Sequence, residues 1–166
     1  MGISTGTLSN KQLILKNVLM YTPSGKAIGL LPKESELRII LDEFAACISK
    51  LGISLVGPLI MKSTFMRGNT SRSKPVITYM QQVDVLIGIG NLEKPFVFEE
   101  DIFIPNCVRM QFSGKEKDFL YLFYKTMSLI KYENMQPSME VYTFFISLNR
   151  ESGDISAEVY VPVFNL

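Results

Sequence analysis

A chain of 166 residues, 47% hydrophobic and 20% charged, carries enough apolar material for a buried core and lacks the composition of a disordered protein. Its formal net charge of +1 leaves no overall electrostatic footprint for nucleic acid. The absence of histidine excludes Ser-His-Asp and Cys-His catalysis and histidine-based metal sites, so any chemistry rests on carboxylates, lysines, tyrosines or water.

The first strand is expected over residues 13–21, apolar and partly β-branched, ending at the turn signal Thr22-Pro23-Ser24-Gly25. An amphipathic helix follows over 33–51. Leu37, Ile40, Leu41, Phe44, Ile48 and Leu51 recur at helical spacing and share one face. Glu34 and Glu36 suit the positive end of its dipole, Lys50 suits the other end, and Gly52 is a natural stop. Residues 53–65 read as a strand interrupted by Gly57-Pro58, and 76–89 as a second strand, joined across a polar loop at 67–74. Residues 91–101, with Pro95 and several acidic side chains, read as a connector.

The second half opens with a strand over 102–112. Ser113 and Glu116 form an S-x-x-E capping box that predicts a helix running to about residue 132. Strands are expected at 139–148 and 155–163, with a polar turn at 150–154 between them. The predicted fold class is therefore α+β: a tandem repeat of a strand–helix–strand–strand unit within a single domain spanning 1–166. The first repeat lies at about 13–90, the connector at 91–101 and the second repeat at about 102–164. The antiparallel sheet is expected to carry both helices on one face, with a central cleft between the repeats.

Cys47 and Cys107 show no C-x-x-C spacing and are expected to be reduced core residues. The N-terminal residues lack a signal peptide's apolar stretch, and no run approaches the roughly 20 apolar residues of a membrane span. A cytoplasmic protein without membrane contact is expected.

Three stretches resemble the GyrI-like small-molecule-binding family, which includes effector-binding domains of AraC- and MerR-type multidrug regulators. They are Ile104-Pro-Asn-Cys-Val-Arg-Met-Gln-Phe-Ser-Gly114, Gln136-Pro-Ser-Met-Glu-Val-Tyr142 and Ala157-Glu-Val-Tyr-Val-Pro-Val163. The closing Glu-Val-Tyr-Val-Pro-Val is the most specific. One departure is the missing Asn-Asp-Pro turn after the Glu-x-Tyr strand; here the chain continues as Phe144-Phe145-Ile146-Ser147. The resemblance implies a carboxylate facing an aromatic-lined cleft that attracts cationic, lipophilic ligands, and the matching position is Glu140.

The residues give a second reason to notice Glu140. Period-two alternation puts it on one strand face with Tyr142, Phe144 and Ile146. A carboxylate in an aromatic row must be solvated, paired or neutralised, and aromatic faces beside a negative charge suit an organic cation. The plainer reading is a solvated Glu140, or one paired with a nearby lysine. Tyr142 and Tyr160 are the next candidates, with cross-strand packing as their competitor. Tyr79, on the corresponding strand of the first repeat, completes the set. Lys62, Arg67, Arg72 and Lys74 read as a solvated hairpin tip.

The expected function is a stand-alone ligand-binding protein for a small hydrophobic ligand, cationic ligands included, with no cofactor, metal or direct nucleic-acid contact. The alternative is a protein-interaction or accessory module of a larger system, without a small-molecule ligand. Hydrolysis with Glu140 as general base is least favoured, for want of a second catalytic group.

Overall fold

The computed structural model describes residues 10–23, 34–64, 76–85, 92–149 and 151–165. In chain order these form β1 (Asn10–Tyr21), α1 (Glu34–Leu51), β2 (Ser54–Thr64), β3 (Val76–Asp84) and β4 (Phe96–Lys115), then α2 (Glu116–Tyr132), β5 (Met135–Pro137), β6 (Glu140–Asn149) and β7 (Asp154–Asn165). The expected polar loop at 67–74, the end of the 76–89 strand, and Arg67, Arg72 and Lys74 lie outside the described residues.

Helix α1 follows its apolar spacing. Leu37, Ile40 and Phe44 are buried, and Leu41, Ile48 and Leu51 pack partly buried beside them. Its end is a paired reverse turn. The amide of Gly52 donates to Ser49 O (3.4 Å) and that of Ile53 to Ile48 O (3.2 Å). Gly52 takes φ 68°, a conformation that costs a side chain energy and a glycine almost none. The start of α2 departs from expectation. Ser113 is not a cap: it pairs with Ser156 inside β4, and Lys115 precedes the helix without a side-chain cap bond. Ladder pairing continues through Lys115 opposite Asp154, reinforced by their 2.9 Å ion pair, and this overrides the local capping signal.

The segment expected to be a connector is half strand. β4 begins at Phe96 and runs for 20 residues. Its first part pairs antiparallel with β1, from Phe96 opposite Tyr21 to Val108 opposite Asn10. Its second part pairs with β7, from Cys107 opposite Pro162 to Lys115 opposite Asp154. With the ladder β4-β1-β3-β2-β6-β7 this second pairing closes six antiparallel strands into a barrel, and β5 adds to β7 outside the ring. The α+β sheet of tandem repeats, with helices on one face, is therefore corrected: the described residues form a mostly β, closed six-stranded barrel with two helices outside it. The two halves are unequal as well, since β4 is longer than β1 (12 residues) and β5 has no counterpart before β2.

Three apolar clusters follow from closure. α1 covers the outside of β1, β2 and β3 through Phe44, Leu19, Met61 and Tyr79. α2 covers the outside of β4, β6 and β7 through Phe119, Leu122, Val141 and Val159. The third cluster draws only on strands. It joins Leu13, Leu15, Val18, Ile60, Met80, Cys107 and Tyr142, with Met20, Ile102, Ile104, Phe144 and Tyr160 at its margin, and it fills the barrel. Both cysteines are free, Cys107 buried and Cys47 half-buried.

Two backbone irregularities fit single strands to these compartments. Leu13 and Leu15 point inward, but so does Val18, so the alternation flips at Asn17, which adopts φ 53°. In β2 the register with β3 shifts between Val56 and Ile60, across Gly57 at φ 82°. Ile60 then points into the barrel while Leu59 and Met61 face α1.

Phe44 is fully buried, with ring centroids 5.6 Å from Phe96 and 6.2 Å from Tyr21. Phe44→Ala is expected to cost about 3–5 kcal/mol in urea unfolding. Tyr132→Ala, on an exposed face of α2, should change stability by less than about 0.5 kcal/mol. Equal effects from the two would contradict the docking of α1.

Candidate functional site

The β6–β7 ladder places Tyr142 directly opposite Tyr160. Each strand carries a glutamate two residues before its tyrosine, on the same face. Because the strands are antiparallel, Glu140 and Glu158 point to opposite ends of the barrel interior.

At one end the Tyr142 hydroxyl donates to Glu140 Oε2 (3.3 Å), and Lys62 Nζ from β2 lies 3.3 Å from Glu140 Oε1. The strand register requires this neighbourhood, because Lys62 pairs with Tyr142 and Thr64 with Glu140. The Lys62 ammonium also stands over the Tyr142 ring, 5.9 Å from its centroid. Burial and the adjacent carboxylate both push the Tyr142 phenol well above its ordinary value of 10.0. A pocket of about 240 Å³ opens here, walled by Lys62, Tyr142, Met20, Thr78, Ile102 and, from the first part of β4, Glu99.

At the other end the Tyr160 hydroxyl donates to Glu158 Oε2 (3.2 Å). Arg109 Nη2 donates to Glu158 Oε1 at 2.6 Å, joined by Gln111 Nε2 at 3.2 Å. Burial works to raise the Glu158 carboxyl, but the hydrogen bonds from Arg109, Gln111 and Tyr160, with the guanidinium charge, bring it below its ordinary 4.5. A second recess of about 340 Å³ lies beside Glu158, lined also by Gln111, Ser113, Ile146 and Ser156. Between the two ends, Phe144 and Tyr160 pack with ring centroids 5.2 Å apart.

Four of the five residues singled out in the sequence thus meet on the inner side of β6 and β7: Glu140, Tyr142, Phe144 and Tyr160. Tyr79 is placed apart from them. It is buried against α1, opposite Met61, and burial lifts its phenol to about 12. The lysine partner considered for Glu140 is Lys62, which lies on the barrel wall. Glu158, Arg109 and Gln111 are not among the residues that the sequence singles out. The spacing of Glu158 and Tyr160 repeats that of Glu140 and Tyr142 and is the signal for Glu158; Arg109 and Gln111 are brought to it only by the β4–β7 ladder. Among the described residues no cluster of three or more acidic or cysteine side chains is arranged to hold a metal. No helix among them is long and apolar enough to cross a membrane.

Comparison with known proteins adds the fold. No protein-family model matches the chain, and no curated protein matches it. Solved structures do. The crystal structure of the EcmrR C-terminal domain superposes with a TM-score of 0.64 at 13% identity, covering 95% of this chain and 98% of that one. EcmrR in its cryo-EM complex with DNA gives a TM-score of 0.69 at 13% identity; the match covers 95% of this chain and spans 57% of the EcmrR chain. An uncharacterised conserved protein from Listeria innocua gives 0.59 at 13% identity, covering 96% of this chain and 94% of that one. This chain shares the fold of the EcmrR C-terminal domain.

The carboxylate at the Arg109 end has a consequence for acid stability. Its folded-state pKa lies below 4.5, so it stabilises the fold above that value and ceases to as pH falls through 4.5 towards the folded-state pKa. Urea midpoints measured between about pH 6 and pH 3 should fall with acidification, and less steeply for Glu158→Gln. An unchanged slope in the variant would remove Glu158 from the acid response.

Proposed function

We propose that this chain is a ligand-binding domain of the GyrI-like, effector-binding type, taking a hydrophobic organic cation into the pocket at Glu140 and Tyr142. One observation carries the reading: Tyr142, hydrogen-bonded to Glu140, lines a pocket of about 240 Å³ together with Glu99, and the Lys62 ammonium already stands over its ring. Aromatic faces and a fixed negative charge attract cations most strongly where water is partly excluded. The fold shared with the EcmrR C-terminal domain and the motifs around Glu140 and Tyr160 support it. Phe144 and Tyr160 back the pocket as packing residues, and Tyr79 supports the wall from the α1 side.

A protein-interaction role has its own observation. α2 turns Tyr121, Tyr124 and Tyr132 outward, each more than 60% exposed. Exposed tyrosines of this kind are common anchors in interfaces.

Thermal denaturation with lipophilic cations and neutral aromatic compounds tests the first reading. A cation at about 100 times its dissociation constant should raise the melting temperature by roughly 5–10 °C, and Glu140→Gln should lose most of that shift. Cation stabilisation that survives Glu140→Gln undiminished would move the charge recognition elsewhere. If no compound shifts the wild type while a protein partner co-purifies, the interaction reading takes its place.

A further inference from the structure

The pocket holds a cation of its own. Lys62 Nζ makes both contacts that a bound cation would make, 3.3 Å from Glu140 Oε1 and 5.9 Å from the centre of the Tyr142 ring. Its side chain is 25% exposed and that of Glu140 40%, so the pair is partly shielded and still reachable from solvent. The strand fixes where the lysine begins, since Lys62 is paired with Tyr142 in the β2–β6 ladder. The strand does not fix where it ends. Four methylenes carry the ammonium on a flexible stem, and this is the side chain best able to leave a site without disturbing the backbone. The carboxylate that lines this pocket is Glu99, on the wall contributed by β4, while Glu140 stands beside the pocket, bonded to its lining residues Lys62 and Tyr142.

We propose that Lys62 is a tethered competitor: its ammonium occupies the cation position on Glu140 and Tyr142, and an incoming ligand must displace it. The inference rests on the cation-binding reading of this pocket and adds a selectivity rule to it. A ligand gains only by the amount its contacts exceed those of a primary ammonium already in place, and its apparent affinity falls by the fraction of molecules with the site vacated. Small primary amines offer nothing the lysine lacks. A quaternary or charge-delocalised cation with an aromatic or aliphatic arm is less strongly hydrated and buries apolar surface against Met20 and Ile102, so it can win. Once displaced, the lysine ammonium moves towards solvent or towards Glu99. The pocket's charge balance thus keeps it closed to ordinary amines while leaving it available to lipophilic cations.

The test uses benzyltrimethylammonium as probe and titration calorimetry on wild type, Lys62→Met, Glu140→Gln and the double variant. Lys62→Met keeps the length of the stem and removes the charge. It should tighten probe binding about tenfold, the order set by one freed cation–π and ion-pair site. Adding Glu140→Gln should abolish most of that gain. A second measurement leaves the native chain intact: mass-spectrometric acetylation of Lys62 should accelerate severalfold when the probe is added, because the amine is released. Equal probe affinity in wild type and Lys62→Met, or Lys62 acetylation unchanged or slowed at saturating probe, overturns the competitor while leaving the binding site in place. Failure of the probe to bind either folded protein overturns the cation-binding reading, and the competitor with it.

Discussion

The structure depends on one strand having two partners. β4 pairs with β1 along its first part and with β7 along its second, and the two ladders overlap only at Cys107 and Val108. Without the second ladder the sheet would be open, and its inward residues would form one exposed apolar face. With it, those residues become the filling of a barrel, and the helices are confined to the outside. The strand's length is the enabling feature: its 20 residues let β4 reach both neighbours in turn. The course of β4 also carries Glu99 and Ile102 to the pocket at one end, and Arg109 and Gln111 to the carboxylate at the other.

Closure imposes an electrostatic problem, and the ends of the barrel meet it in the same way. A glutamate near an apolar interior loses hydration, which must be replaced by hydrogen bonds or countercharge. Glu140 receives a tyrosine hydroxyl from its own strand and a lysine from the neighbouring strand. Glu158 receives a tyrosine hydroxyl from its own strand and an arginine from the strand on its other side. The ends differ in how tightly the cation is held. A guanidinium at 2.6 Å, aided by Gln111, is a fixed structural bond, whereas an ammonium at 3.3 Å on a flexible stem is a looser occupant. The physical asymmetry separates a tightly braced end from a loosely held one, although both are built from the same three-residue pattern.

What the sequence revealed divides along the range of the interactions. Local periodicity placed α1 and its glycine stop, because helix faces and αL turns are decided within a few residues. Alternation placed Glu140, Tyr142 and Phe144 on one face for the same reason. Ladder partners are decided by residues far apart, so the closing pair β4–β7 left no local trace, and a proline-flanked acidic stretch looked like a linker. The capping signal at Ser113 was real as a pattern but lost to strand pairing. Lys62 reads as part of a solvated basic tip when grouped with Arg67, Arg72 and Lys74 farther along the chain; its neighbours in space are Glu140 and Tyr142. Tyr79 lies on the closing strand of the first half, the counterpart of the strand that carries Tyr160, but in β3 it is the even-numbered residues Thr78 and Met80 that turn towards the barrel. Glu158 stands in the closing motif two residues before Tyr160, but its role depends on Arg109 and Gln111, which only the β4–β7 ladder brings near.

The acidic run of β4 acquires a different meaning from its place in the ring. Glu99, Glu100 and Asp101 lie on the stretch of β4 that has β1 as its ladder partner and, among the described residues, none on the other side. A strand paired along one margin is a template on which another chain can add itself. Three adjacent carboxylates make a second copy of the same strand repel the first, and Pro105 interrupts the row of amide donors that an added strand would need. The residues that resemble a linker in the sequence act as a guard rail, letting the ring stay incompletely laced at this margin without becoming a seed for aggregation.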